Sequence, residues 1–166
     1  MDNTTINSII GVFATVITVG CTIIGIKVAK SKKTITVSKK TKLYLNPNNK
    51  GSFVFDYSNN NGTYTIGSDE YIFNTKWSSA SNSSIHAYKD NTNIDCIALI
   101  ESVGDIESKI DFNADFSSRA RTARIGDAIL WKNTNGKYAL TKIISVSAKS
   151  HGADADTLEC EYIIFK

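Results

Sequence analysis

The chain has 166 residues, of which 42% are hydrophobic, 21% charged and 10% aromatic, with one proline and ten glycines. This length allows one folded domain of ordinary size with a short appendage, and it excludes an enzyme built from two large domains. The composition excludes a chain that is disordered throughout, because it contains enough apolar side chains to build a core.

Charge is distributed unevenly along the chain. Residues 1–50 carry eight lysines and one acidic residue, Asp2, whereas residues 51–166 carry eleven basic and fifteen acidic residues. The net charge of +3 therefore combines a strongly basic N-terminal part with a mildly acidic remainder. With the patterns described below, this asymmetry predicts three parts: an N-terminal helix over 1–30, a basic linker over 31–50 and a β-domain over 51–166.

The N-terminal part contains a long apolar run. Residues 9–26 read IIGVFATVITVGCTIIGI and contain no charged residue. A helix of this length spans roughly 27 Å, close to the thickness of the hydrocarbon core of a bilayer. The positive charge follows the apolar run instead of preceding it, which is atypical of a cleaved signal peptide. The run therefore predicts one transmembrane helix.

The lysines after this run predict its orientation. Four of them follow it closely, at Lys27, Lys30, Lys32 and Lys33. By the positive-inside rule, the N-terminus lies outside and the C-terminal domain in the cytoplasm. The predicted localisation is the inner membrane, with a single pass and the lipid bilayer as a partner. A basic stretch beside a membrane attracts anionic lipid, so nucleic acid is not expected to bind; a solvated stop-transfer linker is the simpler alternative.

Small side chains recur within the apolar run at spacings of 3, 4, 3 and 4, which places them along one stripe of a helix. Such stripes let two helix backbones approach closely in lipid. The stripe predicts self-association of the helix, and hence a homo-oligomer, through Gly11, Ala14, Thr18, Cys21 and Gly25.

From residue 51 onward, short apolar runs with period-two alternation are separated by turn signals. The predicted strands are 52–57, 63–66, 70–77, 84–88, 94–100, 127–132, 138–146 and 158–165, with a further first strand at 34–37 or 42–45. Asn61-Gly62 and Asn135-Gly136 predict two hairpins, each between the strands that flank the turn. The predicted fold class is mainly β: one N-terminal transmembrane α-helix followed by a compact antiparallel β-barrel or β-sandwich of about 7–9 strands.

Catalytic motifs are not found in the sequence. The two histidines, His86 and His151, belong to no zinc motif, and no nucleotide loop, phosphate loop or nucleophile elbow is present. His86 lies within a predicted strand and suits a structural role. His151 precedes Asp154 and Asp156 in a short loop that suits a solvated turn better than a cation site. We expect no enzyme activity, no metal and no cofactor.

A cluster of three arginines predicts a binding site for an anion. An extended chain over 117–121 would place Ser117, Arg119 and Arg121 on one face, and Arg124 follows shortly after. Guanidinium groups bind carboxylate or phosphate bidentately, so we expect an anionic small molecule or a protein partner. The alternative is that the arginines form ion pairs with nearby acids, namely Asp111, Asp115 and Asp127.

Trp77 stands before the serine-rich segment 78–84. An aromatic ring beside small hydrogen-bonding side chains predicts that a base or sugar stacks on Trp77, which adds this residue to the predicted ligand site. The alternative is an ordinary serine-rich loop.

Two stretches carry a resemblance to known proteins. Residues 55–88, FDYSNNNGTYTIGSDEYIFNTKWSSASNSSIHAY, and 116–143, FSSRARTARIGDAILWKNTNGKYALTKI, resemble an uncharacterised bacterial β-rich domain associated with TIR-containing and other defence proteins. This resemblance implies a recognition or accessory module and assigns no site residues. In architecture alone, a membrane anchor followed by a small β-domain is similar to the transmembrane β-barrel effectors of bacterial cyclic-oligonucleotide signalling, although those usually have more spans.

Together these observations predict a single-pass membrane-anchored protein. Its cytoplasmic β-domain would recognise a ligand or partner without catalysis, and its helix would self-associate. The alternative hypothesis is a bacterial anti-phage defence effector that senses an anionic nucleotide messenger and perturbs the inner membrane.

Overall fold

The structure, a computed structural model, describes residues 44–107 and 113–166. These residues belong to one compact unit, Lys42–Lys166. Within the described ranges the chain forms ten strands: β1 (Leu45–Asn46), β2 (Lys50–Asp56), β3 (Thr63–Ile66), β4 (Phe73–Ser79), β5 (Ser84–Tyr88), β6 (Ile94–Ile100), β7 (Ala120–Arg124), β8 (Ala128–Asn133), β9 (Tyr138–Ser147) and β10 (Thr157–Phe165). The helical elements of this part are short 3-10 turns at Asn60–Gly62, Asp69–Tyr71 and Lys149–His151.

The strands form two five-stranded sheets. Sheet A has the order β1-β3-β4-β5-β7, and sheet B has the order β2-β10-β9-β8-β6. Neighbouring strands are antiparallel except for β1 and β3, which pair in parallel. Among the described residues, strand pairing does not join the two sheets, so β1, β7, β2 and β6 are the edges there. The barrel alternative of the predicted fold class is therefore wrong.

The predicted membrane helix is also corrected. Among the described residues, the structure contains no helix that is both long enough and apolar enough to cross a membrane. The predicted span 9–26, with the stripe from Gly11 to Gly25, lies outside the described residues. The membrane helix of the predicted fold class and the single-pass inner-membrane localisation derived from it are contradicted, because no helix of the described residues could cross a membrane. An uncharged run of eighteen residues is near the short limit for a span, and hydropathy alone does not establish one.

Alternation along the strands builds the core between the two sheets. One side chain in two points inward, so each sheet contributes an apolar inner face. The largest fully buried side chains come from both sheets and include Trp77, Phe73 and Ile85 from sheet A with Trp131, Ile143 and Tyr162 from sheet B. Burial of this apolar surface is the main term that stabilises the domain.

The outer face of sheet B carries a second apolar cluster. Ala98, Ala128, Leu130 and Leu140 are fully buried there. The connection between β6 and β7 covers them with side chains that include Val103, Ile106, Ala114 and Phe116. Strand β8 is consequently buried on both faces, which explains its continuous apolar sequence AILW.

The two Asn-Gly turns behave differently. Strands β8 and β9 pair antiparallel around the second turn, which confirms that predicted hairpin. The first predicted hairpin is wrong, because β2 belongs to sheet B and β3 to sheet A. At this crossing Gly62 has a φ of +68°, and a Cβ there would lie 2.1 Å from the carbonyl oxygen of Trp77. Only glycine fits this close approach between backbones.

Candidate recognition face of sheet A

The outer face of sheet A, which we call the polar face, is formed by outward-pointing side chains of β3, β4, β5 and β7. Their inward-pointing neighbours, such as Tyr64, Trp77 and Ile85, belong to the core. None of the eleven strand residues on the polar face is acidic: they are Thr63, Thr65, Asn74, Lys76, Ser78, Ser84, His86, Tyr88, Ala120, Thr122 and Arg124. This composition distinguishes the polar face from the outer face of sheet B, which carries Glu159 and Glu161.

The strand register shows what lies beside each cation. Lys76 lies opposite Thr63 on one side and Tyr88 on the other, and Arg124 lies opposite Ser84. Opposite charges stabilise cross-strand positions of this kind. In the part of the chain that the structure describes, however, neither cation forms an ion pair. The positive charge of the polar face is not compensated by these residues.

Hydrogen bonds between strands orient several side chains of the polar face. His86 Nδ1 lies 2.8 Å from Thr122 Oγ1, and Ser78 Oγ lies 3.0 Å from the hydroxyl of Tyr88. The rings of His86 and Tyr88 meet edge to face with centroids 6.3 Å apart. These contacts hold the hydroxyls and the imidazole in place before a partner binds, which lowers the entropic cost of binding.

The polar face is extended rather than enclosed. Lys76 and Arg124 lie two strands apart across the sheet and about four residues apart along it, which corresponds to roughly 16 Å between their Cα atoms. At the β7 end, the face borders an open pocket of about 420 Å³ whose lining includes Thr122, Arg124, Glu101 and Asp127. Asp127 is committed to the backbone there, since its carboxylate accepts from the N–H groups of Ser102 (3.0 Å) and Arg124 (2.9 Å).

The structure does not bring the three predicted arginines together. Arg119 binds Asp90 bidentately, with Nε and Nη2 each 2.8 Å from a carboxylate oxygen. Arg121 shares the inward-facing side of β7 with Ala123, and its Nη2 lies 2.8 Å from Asp115 Oδ2. Of the predicted trio, only Arg124 extends from the polar face.

The ionised form of Asp115 is stabilised by its neighbours. Hydrogen bonds from Ser117, followed by the Arg121 guanidinium, keep the pKa of the Asp115 carboxyl well below its usual range. Among the acids expected to neutralise the arginines, Asp115 takes this role, Asp127 binds backbone amides instead and Asp111 lies outside the described residues. Asp90 was not expected, because it follows β5 and reaches Arg119 only through the pairing of β5 with β7.

Trp77 is a core residue. Its side chain is 1% exposed, and its Nε1 donates a hydrogen bond of 2.8 Å to Thr75 Oγ1 within β4. Trp77 therefore offers no face on which a base or sugar could stack, and the serine-rich segment beside it lies at the surface. The sequence of β4 indicates that Trp77 points inward, because Phe73, Thr75 and Trp77 alternate with outward-pointing polar residues.

The two histidines are far apart in sequence and belong to different elements of the structure. His86 belongs to the polar face, whereas His151 ends a 3-10 turn and has its Nδ1 3.0 Å from Ser150 Oγ. Within residues 44–107 and 113–166, no group of three histidine, cysteine or acidic side chains is arranged to hold a metal ion.

Sequence reasoning missed Lys76, Ser78, Tyr88 and Thr122 as members of one face. Alternation predicts that each points away from the core, but it does not predict which strands are neighbours.

We compared the chain with models of known protein families, with curated proteins and with solved structures, and none of them matches it.

Proposed function

We propose that the β-domain is a non-catalytic recognition module that binds an acidic segment of a partner protein on the polar face of sheet A. The observation that carries this proposal is the placement of Lys76 and Arg124, with His86 between them, on a strand face without any carboxylate. A carboxylate-bearing partner would supply the charge that the domain itself does not provide there. Arginine binds carboxylates bidentately, and lysine attracts them as a point charge.

The shape of the polar face favours an extended partner. Its two cations are separated by a row of hydroxyl and imidazole groups, which can donate hydrogen bonds to carboxylate oxygens between them. A small anion such as a nucleotide would need an enclosed site with convergent groups. Three of the four residues predicted to form such a site are engaged elsewhere, since Trp77 is buried and both Arg119 and Arg121 bind carboxylates.

The test measures binding of the full chain to fluorescently labelled poly-L-glutamate. A charge-reversal variant of the face, Lys76→Glu with Arg124→Glu, is compared with a matched control, Lys149→Glu with Lys166→Glu. Both variants change the net charge equally and leave the N-terminal lysines intact, so any difference between them reports on the polar face.

We expect the face variant to bind at least about tenfold more weakly than the control, and the difference to shrink as salt rises from 50 to 500 mM because screening weakens exposed charge pairs. Thermal unfolding of both variants checks that they remain folded. Equal affinities would overturn the proposal. Binding of pyrophosphate or ADP in place of poly-L-glutamate, with the same loss in the face variant, would overturn the assignment to an acidic polypeptide.

A further inference from the structure

The four edge strands of the two sheets are protected to different degrees. Strand β1 has only two residues, β6 has an irregular register between Ile94 and Cys96, and β7 carries two arginines within five residues. Strand β2 has seven residues, and its central segment GSFVF contains no charge and no proline. Its Val54 side chain is 63% exposed, the largest value among the exposed large hydrophobic residues of the described chain. Natural proteins usually protect such an edge, because its free backbone groups pair readily with another strand.

The hydrogen bonds at the two ends of β2 show which backbone groups face outward. Asn49 O accepts from Ile164 N at 2.7 Å, and Tyr57 N donates to Asp156 O at 3.2 Å. Because backbone direction alternates along an antiparallel pair, the odd-numbered residues of β2 bond to β10 and the even-numbered residues point to the free edge. Within the described residues β2 pairs with β10 alone, so the outward N–H and C=O groups of Ser52 and Val54 face an unpaired edge.

We infer that this edge pairs with the β2 edge of a second copy of the chain, antiparallel and with a two-fold axis at Phe53. In this register Ser52 lies opposite Val54 of the other copy, so their outward N–H and C=O groups form four hydrogen bonds across the interface. Lys50 then lies opposite Asp56 of the other copy at both ends of the paired segment. Two-fold registers centred on Ser52 or Val54 also match outward groups, but neither places Lys50 opposite Asp56.

The charges at the ends of β2 favour a second copy over an unrelated strand. A strand that begins with a cation and ends with an anion is complementary to itself when antiparallel. Lys50 binds Glu107 at 2.9 Å within one copy, but both side chains are more than half exposed, so exchanging this partner costs little. The interface uses the edge of sheet B, and it is therefore independent of the polar face of sheet A.

Amide hydrogen exchange of the full chain, followed by NMR at low and high protein concentration, tests the pairing at single residues. We expect protection of the Ser52 and Val54 amides to increase with concentration, while the Phe53 and Phe55 amides, which bond to β10, are protected throughout. Fast exchange of Ser52 and Val54 at every concentration would overturn the inference. Protection that does not depend on concentration would also overturn it, by showing that the same chain covers the edge.

Two variants test the register by sedimentation. Lys50→Glu places acidic residues opposite each other at both ends, and we expect the dimer to dissociate about tenfold more readily than with the matched control Lys76→Glu, which lies on sheet A away from this edge. Val54→Pro removes an outward N–H but no hydrogen bond to β10, and proline is tolerated on edge strands, so we expect a folded monomer. If Val54→Pro fails to fold, Lys50→Glu decides alone: an unchanged dissociation constant contradicts the register and the inference with it.

Discussion

The indole rings of Trp77 and Trp131 meet edge to face in the core, with centroids 5.2 Å apart and planes at 73°. Trp77 belongs to β4 of sheet A and Trp131 to β8 of sheet B, so this contact joins the two sheets. Each indole N–H donates to a buried threonine hydroxyl, from Trp77 to Thr75 at 2.8 Å and from Trp131 to Thr141 at 2.9 Å. The two threonines satisfy the polar atoms that large aromatic residues bring into a core.

Substitution of Thr75 by valine tests this arrangement. The Thr75 hydroxyl accepts from Trp77 Nε1 and also donates to Tyr64 O at 2.8 Å. Thr75→Val keeps the shape of the side chain but removes both hydrogen bonds, which leaves the Trp77 N–H buried without a partner. We expect the free energy of unfolding to fall by about 1–3 kcal/mol in urea titrations. The exposed control Thr134→Val should change it by less than about 0.5 kcal/mol. Equal changes in the free energy of unfolding at the two positions would show that the buried hydrogen bond does not stabilise the fold.

Gly62 and Gly136 separate the cost of a steric contact from the cost of a positive φ. Both have similar φ values, +68° and +73°, but a Cβ meets the Trp77 carbonyl oxygen at Gly62 and nothing within 4 Å at Gly136. Gly136→Ala should lower the free energy of unfolding by about 1–2 kcal/mol, which is the cost of placing alanine at a positive φ. Gly62→Ala should lower the free energy of unfolding clearly more, because the backbone must also move to separate the new Cβ from the Trp77 carbonyl oxygen. Thermal or urea unfolding of the two variants measures the difference, and similar losses would contradict the close approach at Gly62.

The cysteines of the domain should differ in reactivity. Cys160 is fully buried in β10, and this burial raises the pKa of its thiol well above the usual value. Cys96 is partly exposed, and burial followed by the charge of Asp95 raises its pKa as well. Because the thiolate is the reactive form, iodoacetamide at pH 8 should label Cys96 well before Cys160. Peptide mapping by mass spectrometry measures both rates, and urea should make Cys160 reactive; equal labelling in the folded protein would contradict its burial.

Tyr162 predicts how stability changes at alkaline pH. Burial, followed by the neighbouring Tyr64, raises the pKa of Tyr162 to about 12, whereas an unfolded tyrosine titrates near 10. The neutral form is therefore stabilised in the folded state, and this contribution is present below pH 10 and is lost as pH rises from 10 to about 12. The Tyr162→Phe variant has no phenol to ionise, so its stability does not include this pH-dependent contribution. The variant also lacks the 3.1 Å hydrogen bond that the Tyr162 hydroxyl donates to Asn48 O.

Urea titrations at pH 8 and pH 11 check this prediction. The variant should be less stable than the native chain at pH 8 by about 1 kcal/mol, and the difference should shrink at pH 11. The tyrosines that do not interact with Tyr162 are common to both chains and cancel in the comparison. A difference that is the same at both pH values would contradict the raised pKa.

Several strands could be read from local patterns alone. The predicted ranges 63–66, 84–88 and 94–100 coincide with β3, β5 and β6, because each is a short apolar or alternating run between turn residues. Strand β7 was missed, since its sequence ARTAR offers only alanine and an ion-paired arginine to the interior. The first Asn-Gly turn was misread because a turn of this type reverses the chain without specifying whether the second strand joins the same sheet.

Local sequence patterns predict where most strands form and which of their side chains point inward, because alternation is a local property of an extended backbone. With the exception of the β8–β9 hairpin, the neighbours of each strand are known only from the folded domain. That order placed Lys76, His86 and Arg124 from three strands on one face, paired Arg119 with Asp90, and buried Trp77 against Trp131. Apart from the β8–β9 hairpin, which its own turn specifies, neighbour order arises from packing among residues distant in sequence, which a local pattern does not encode.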